Sequence, residues 1–130
     1  MSEVVVRTIM RRDFPHLAPY TPIRRAVALL LEARADAAPV LEEDGRLAGI
    51  LTQKDCFRPV LHASYYREWT GSVADHMSRE VVSVDPEMEL IAAAELFMTH
   101  PHRVFPVSDS RDVLGMLHRS AVLARLMQLG

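Results

Sequence analysis

Gly49-Ile50-Leu51-Thr52-Gln53-Lys54-Asp55 and Gly115-Met116-Leu117-His118-Arg119-Ser120-Ala121 share one pattern, set 66 positions apart. In each, a glycine and an apolar run suited to a strand lead directly into polar residues suited to the first turn of a helix. Upstream of this junction the offset becomes 67. It lays Met10 on Met77, Arg12 on Arg79, Pro19 on Pro86, Ala26 on Ala93, Leu29 on Leu96 and Pro39-Val40 on Pro106-Val107. The change of offset falls between Glu42-Glu43-Asp44-Gly45 and Ser108-Asp109-Ser110-Arg111, both turn-like, where losing one residue costs least. A constant offset with one deletion in a turn marks an internal duplication.

Each copy has the same order of elements. A helical start ends at Met10 or Met77, and an extended segment follows, Phe14–Leu17 or Val81–Val84. In the first copy Thr21 is expected to cap a helix with Pro22 at its first position, where the missing N–H is harmless. Ile23, Ala26, Val27, Leu30 and Leu31 then form an apolar stripe. In the second copy Glu87 and Glu89 are expected in the first helical turn, favoured by the helix dipole. Leu90, Ala93, Ala94, Phe97 and Met98 repeat the stripe. Two strands around a polar turn come next, Ala38–Leu41 with Leu47–Leu51 and Val104–Val107 with Val113–Leu117. Asp44-Gly45 is a strong turn signal that the second copy lacks. Helices from Gln53 to about Leu61 and from Arg119 to about Leu129 close the copies. The result is β-α-β-β-α twice, an α/β (α+β) arrangement whose half-sheets are too small to stand alone.

Composition narrows the function. The 130 residues, 49% hydrophobic and 25% charged, can bury a core. A net charge of −2 gives no electrostatic case for nucleic acid or an anionic membrane. Fourteen of the fifteen basic residues are arginine, Lys54 being the exception. With Cys56 alone, no disulfide within the chain and no thiolate metal cluster can form. The opening Met1-Ser2-Glu3-Val4 has no leader pattern and no stretch approaches a membrane span, so a cytoplasmic protein is expected.

The motifs Thr8-Ile9-Met10, Pro19-Tyr20-Thr21-Pro22-Ile23-Arg24-Arg25-Ala26, Ala38-Pro39-Val40 and Gly49–Asp55 resemble the signature of the cystathionine-β-synthase-type (CBS) repeat family. The resemblance covers nearly the whole chain, as repeat 5–62, an aromatic linker 63–71 and repeat 72–129. It implies one Bateman module, a pseudo-twofold pair with clefts between repeats that often hold adenosine-containing ligands. It also implies head-to-tail homodimers in a flat disc. No obligatory cofactor is implied, and AMP, ADP, ATP or S-adenosylmethionine is the regulatory ligand to expect.

Carried over by resemblance, Thr52 meets a phosphate and Asp55 the ribose hydroxyls, with Lys54 as an added cation. Ala37, Ala38 and Pro39 line an adenine pocket and His16 stands at its edge. The residues alone allow another reading. Thr-x-x-Asp is close to a capping box, which satisfies the same amides without a ligand. In the second copy His118 replaces the threonine and Ala121 the acid, and alanine cannot accept a ribose hydroxyl. A second cleft formed by His118, Arg119, Val104 and Phe105 is therefore empty, degenerate or tuned to something without a ribose; His118 and Arg119 read either as holders of an anion or as solvated helix-start residues.

His100-Pro101-His102 lacks the further ligands that a metal needs and reads as a helix end. Cys56 reads as a small buried hydrophobe, and no assembled nucleophile or catalytic carboxylate pair is present. Tyr65, Tyr66 and Trp69 in the linker suit either an interface or a cover for the module's own core. The expectation is a non-enzymatic nucleotide sensor that signals to an effector protein. A ligand-free dimerisation scaffold is the alternative.

Overall fold

A computed structural model describes residues 4–130; Met1–Glu3, on which the leader reading partly rests, lie outside the described residues. Among the described residues, five helices and four strands follow one another as α1 (Ile23–Ala33), β1 (Ala37–Leu41), β2 (Leu47–Thr52), α2 (Gln53–Tyr66), α3 (Val73–His76), α4 (Leu90–Thr99), β3 (Val104–Ser108), β4 (Val113–His118) and α5 (Arg119–Leu129), after a 3-10 turn at Val6–Thr8. The mixed helix and strand content has the doubled order expected from sequence.

The chain forms two compact units, and they do not coincide with the sequence repeats. The central unit is Phe14–Val81, and the terminal unit joins residues up to Asp13 to Val82–Gly130. Each repeat therefore gives its leading segment to the unit built mainly by the other.

In the central unit β1 and β2 are antiparallel, with Ala37 opposite Thr52 and Pro39 opposite Ile50. Leu17 extends this ladder in parallel beside Val40, and Ser78 closes the far edge against Ile50. Ser78 and Ile50 exchange both backbone hydrogen bonds at 2.9 Å. The terminal unit repeats the plan: β3 pairs with β4, Val84 lies beside Val107, and Arg11 exchanges two 2.9 Å bonds with Met116. The segments expected to be extended before α1 and α4 thus reduce to single bridges. Flanking prolines, Pro15 and Pro86, remove donors that a longer ladder would need.

Both ladders slip at the same place, between Val40 and Leu41 and between Val107 and Ser108, just before the turn. The turn of the central unit uses Gly45 at φ 88 with an N–H bond to the Glu42 carbonyl. The shorter turn needs no glycine, because the Asp109 carboxylate accepts from Arg111 N (2.8 Å) and Asp112 N (2.7 Å).

Two helix starts depart from the sequence reading. Pro22, not Thr21, is the N-cap of α1, and Thr21 Oγ1 instead accepts from Ala18 N at 3.1 Å. That local bond diverts the hydroxyl into the preceding turn, a common competitor of capping. Glu89 is the N-cap of α4, and Glu87 lies before the helix, paired with Arg7 at 2.7 Å. The second helix of the first repeat also runs on to Tyr66, so half of the aromatic stretch is its last turn.

The core of the central unit gathers Leu17, Ile23, Ala26, Leu30, Val40, Leu51 and Cys56 with Val73 and Met77 from the second repeat's leading segment. The terminal core gathers Leu90, Ala93, Phe105, Val107, Leu117 and Val122 with Val6 and Met10 from the first.

Candidate functional site

The passage from β2 into α2 is where the sequence placed its chemistry. Thr52 is the N-cap of α2, and the capping box is complete: Asp55 N donates to Thr52 Oγ1 at 3.2 Å and Thr52 N donates to Asp55 Oδ2 at 2.9 Å. Gln53 ties the junction to the end of the α1–β1 connection, its N–H donating to the Asp36 carbonyl and its Nε2 to the Ala35 carbonyl, both at 2.9 Å. These two clamps were not foreseen from sequence, since nothing local to Gln53 announces a contact 18 residues away.

The capping box changes the chemistry expected of the junction. Three first-turn amides, those of Thr52, Gln53 and Asp55, already have acceptors and are not open to an anion. What remains includes the Lys54 amide, the Thr52 hydroxyl proton, the exposed Lys54 ammonium and the second carboxylate oxygen of Asp55. The cap fixes both side chains in place and uses one acceptor site on each.

The other candidates of the first repeat gather around this point to different degrees. Ala37 faces Thr52 directly across the ladder and is 5% exposed, and Ala38 and Pro39 are buried beside it. The Pro39 carbonyl accepts from Leu17 N at 3.0 Å, which brings the exposed His16 to the neighbouring edge of the same sheet. Cys56, one residue beyond Asp55, is buried. Burial and then the Asp55 charge push its thiol up to about 11, so it is not a thiolate nucleophile at neutral pH.

In the terminal unit the same junction is built without its polar lock. His118 is the N-cap of α5 and makes no side-chain cap, with Ala121 where the first copy has Asp55. Arg119 N still donates to the Arg103 carbonyl at 2.9 Å, the counterpart of the Gln53 bond. Val104 faces His118 and is 4% exposed. Phe105 is fully buried, its ring packed 4.5 Å from Phe97 and against the rings of His100 and His102. What Phe105 offers at this position is therefore core volume, with no free aromatic face. His100 caps the end of α4, its Nδ1 3.0 Å from the Leu96 carbonyl. Among the described residues no group of three or more His, Cys, Asp or Glu side chains is placed to hold a metal ion, and no helix is long and apolar enough to cross a membrane.

Comparison with known proteins is consistent with this duplicated plan. The family model for the CBS domain matches residues 6–62 and 73–128. The CBS domain-containing protein YhcV of Bacillus subtilis is 30% identical over 112 residues, 86% of this chain and 78% of that protein. A homoserine O-acetyltransferase of Methanocorpusculum labreanum is 29% identical over 118 residues, 90% of this chain and 23% of the enzyme, so the match spans under a quarter of it. Among solved structures, CBSX2 in complex with AMP superposes with a TM-score of 0.83 at 24% identity, over 96% of this chain and 97% of that one. The CBS pair of MJ0100, in complex with 5′-methylthioadenosine and S-adenosylmethionine, gives 0.75 at 21% identity over 98% of both chains.

Proposed function

The chain belongs to the CBS-domain family, and from that premise we propose that it is a regulatory, non-catalytic module sensing an adenosine-containing nucleotide at the Thr52–Asp55 junction. The observation that carries this reading is the pre-set pair: Thr52 and Asp55 hold each other through the cap, with polar sites left on both, beside the exposed charge of Lys54. The Asp55 oxygen not engaged by Thr52 N accepts ribose hydroxyls, and the Thr52 hydroxyl and Lys54 meet phosphate. Ala37, Ala38 and Pro39, small and buried behind the junction, leave room for a planar base to come near the backbone there. The AMP bound to CBSX2 and the S-adenosylmethionine bound to MJ0100 support the ligand class. Ligand affinity that differs between two arrangements of the module then signals to an effector protein, and the working form is a homodimer.

The completed cap favours a second reading, in which Thr52 and Asp55 serve helix α2 alone and the module is a ligand-free scaffold. Thermal-shift titration with AMP, ADP, ATP and S-adenosylmethionine separates the two. Saturation near 100 times Kd stabilises a folded protein by about 2.7 kcal/mol, several degrees for a chain of this length. The shift is expected for the wild type and for Asp75→Ala, which breaks the same type of cap at Ser72, and is lost in Asp55→Ala. A wild type unmoved by all four ligands would leave the scaffold reading.

A further inference from the structure

Two readings of Tyr65, Tyr66 and Trp69 stand open from the sequence, an interface or a cover for the core, and their exposure decides for the interface. Tyr65 and Tyr66, in the last turn of α2, are 81 and 62% exposed, and Trp69 just beyond is 36% exposed. All three lie in the central unit, and none joins its core. The rings are nonetheless gathered. Tyr66 stands 4.7 Å from the ring of His62, tilted by 44°, and 4.9 Å from Tyr65 at 70°. Trp69 is held from the other helix, with the Arg24 guanidinium of α1 5.9 Å over its ring. Exposed rings grouped in this way, with polar tips, mark a contact surface.

The charge around the rings is almost all of one sign. The one acid of α2 is Asp55, whose carboxylate is engaged in the cap at the opposite end of the helix. Arg58, His62 and Tyr66 follow at four-residue steps and are all exposed, so they share a face, and Arg67 comes next. Glu68 is the single acid from Arg58 to Trp69. An acidic partner complements this charge. The ring geometry narrows the choice further. Rings at 44° and 70° leave wedges between them and no parallel stack for the bases of a single strand. The net charge of −2 gives no long-range pull on a polyanion. Proline rings suit such wedges, and the carbonyls that a polyproline helix leaves unpaired accept from tyrosine hydroxyls and an indole N–H.

We infer that the aromatic end of α2 docks an acidic, proline-rich segment of a protein partner, with Tyr65, Tyr66 and Trp69 taking its prolines and Arg58 and Arg67 its carboxylates. The inference rests on the reading above that the module acts on a protein partner, and adds the place and the chemistry of that contact. Helix α2, 14 residues and therefore about 21 Å long, carries the Thr52–Asp55 cap at one end and this surface at the other.

Trp69 is the only tryptophan of the chain, so its fluorescence reads the surface directly. A synthetic Glu-Pro-Pro repeat peptide, titrated in low salt, should change the emission with a Kd below about 1 mM, and a Lys-Pro-Pro repeat should not. Tyr65→Ser and Tyr66→Ser should each weaken binding about tenfold, and Arg58→Glu about fivefold. All three side chains are exposed, so far-ultraviolet circular dichroism should stay native. The inference is overturned if the acidic peptide leaves the emission unchanged, if the basic one works as well, or if both tyrosine variants bind like the wild type. A response to oligo(dT) or to phosphatidylserine vesicles without one to the peptide also overturns it, in favour of nucleic acid or membrane. So does an emission that changes when the protein alone is diluted, since a second copy then covers the surface. A failed peptide titration beside an intact nucleotide shift removes this inference alone, and peptide binding without any nucleotide shift removes the sensor reading alone.

Discussion

Met77 lies directly over Gly49. A Cβ added to Gly49 would stand 2.8 Å from the Met77 sulfur and 2.6 Å from the Ser78 carbonyl oxygen. The same relationship holds in the terminal unit, where a Cβ on Gly115 would stand 2.9 Å from the Met10 sulfur and 2.7 Å from the Arg11 carbonyl. The glycine that opens each strand-to-helix pattern is there to let the other repeat's leading segment pair with the strand edge.

Gly49→Ala and Gly115→Ala should each destabilise the protein by about 1–3 kcal/mol, the usual range for overpacking against atoms that cannot withdraw. Ser78 and Arg11 are fixed by two backbone bonds each, so the added methyl must displace a strand edge. Urea denaturation of both variants checks this. Near-equal losses are expected, and a neutral Gly49→Ala would show that the edge pairing is loose.

Phe105→Ala should cost about 3–5 kcal/mol, because the residue is fully buried and packs on three other rings. Near-ultraviolet circular dichroism should lose intensity in the Phe region with it.

Acid should weaken the fold through Asp109 and Asp75. The Asp112 and Arg111 amides hold the Asp109 carboxyl below its ordinary value, and the Ser72 amide does the same for Asp75. A carboxylate lowered in the folded state stabilises above its unfolded pKa of about 3.9 and loses that contribution as pH falls through the lower folded value. Urea midpoints from pH 6 to 2 should therefore converge for wild type and Asp109→Asn at the acid end, with wild type ahead above pH 4.

The Cys56 thiol, raised to about 11 by burial and the neighbouring carboxylate, should react about a hundredfold more slowly with an aromatic disulfide at pH 8 than the same thiol in urea. Equal rates in both solvents would mean that the base of α2 opens readily.

Much of the plan was legible because it is local. The strand and helix periods, the turn at Asp44-Gly45 and the Thr52–Asp55 cap all depend on residues within a few positions of each other, and each is present. The exchange of leading segments was not legible, because Val6 and Val73 look alike in sequence whichever repeat they pack on. Thr21 misled for a different reason: its hydroxyl had two possible uses, and the bond to Ala18 N won. At the candidate site the cap and the ligand residues were distinguished as alternatives from sequence. The geometry shows that the cap is formed in full, which spacing alone does not reveal.

The exchange also determines what a break in the backbone would do. The stretch Arg67–Gly71 after α2 is exposed throughout, the sort of place a protease cuts. Cleavage there would leave an amino-terminal fragment whose Val6 and Met10 are embedded in the terminal core, and a carboxy-terminal fragment whose Val73 and Met77 are embedded in the central core. The nicked halves should copurify and need denaturant to part, and each expressed by itself should be incomplete until mixed with the other.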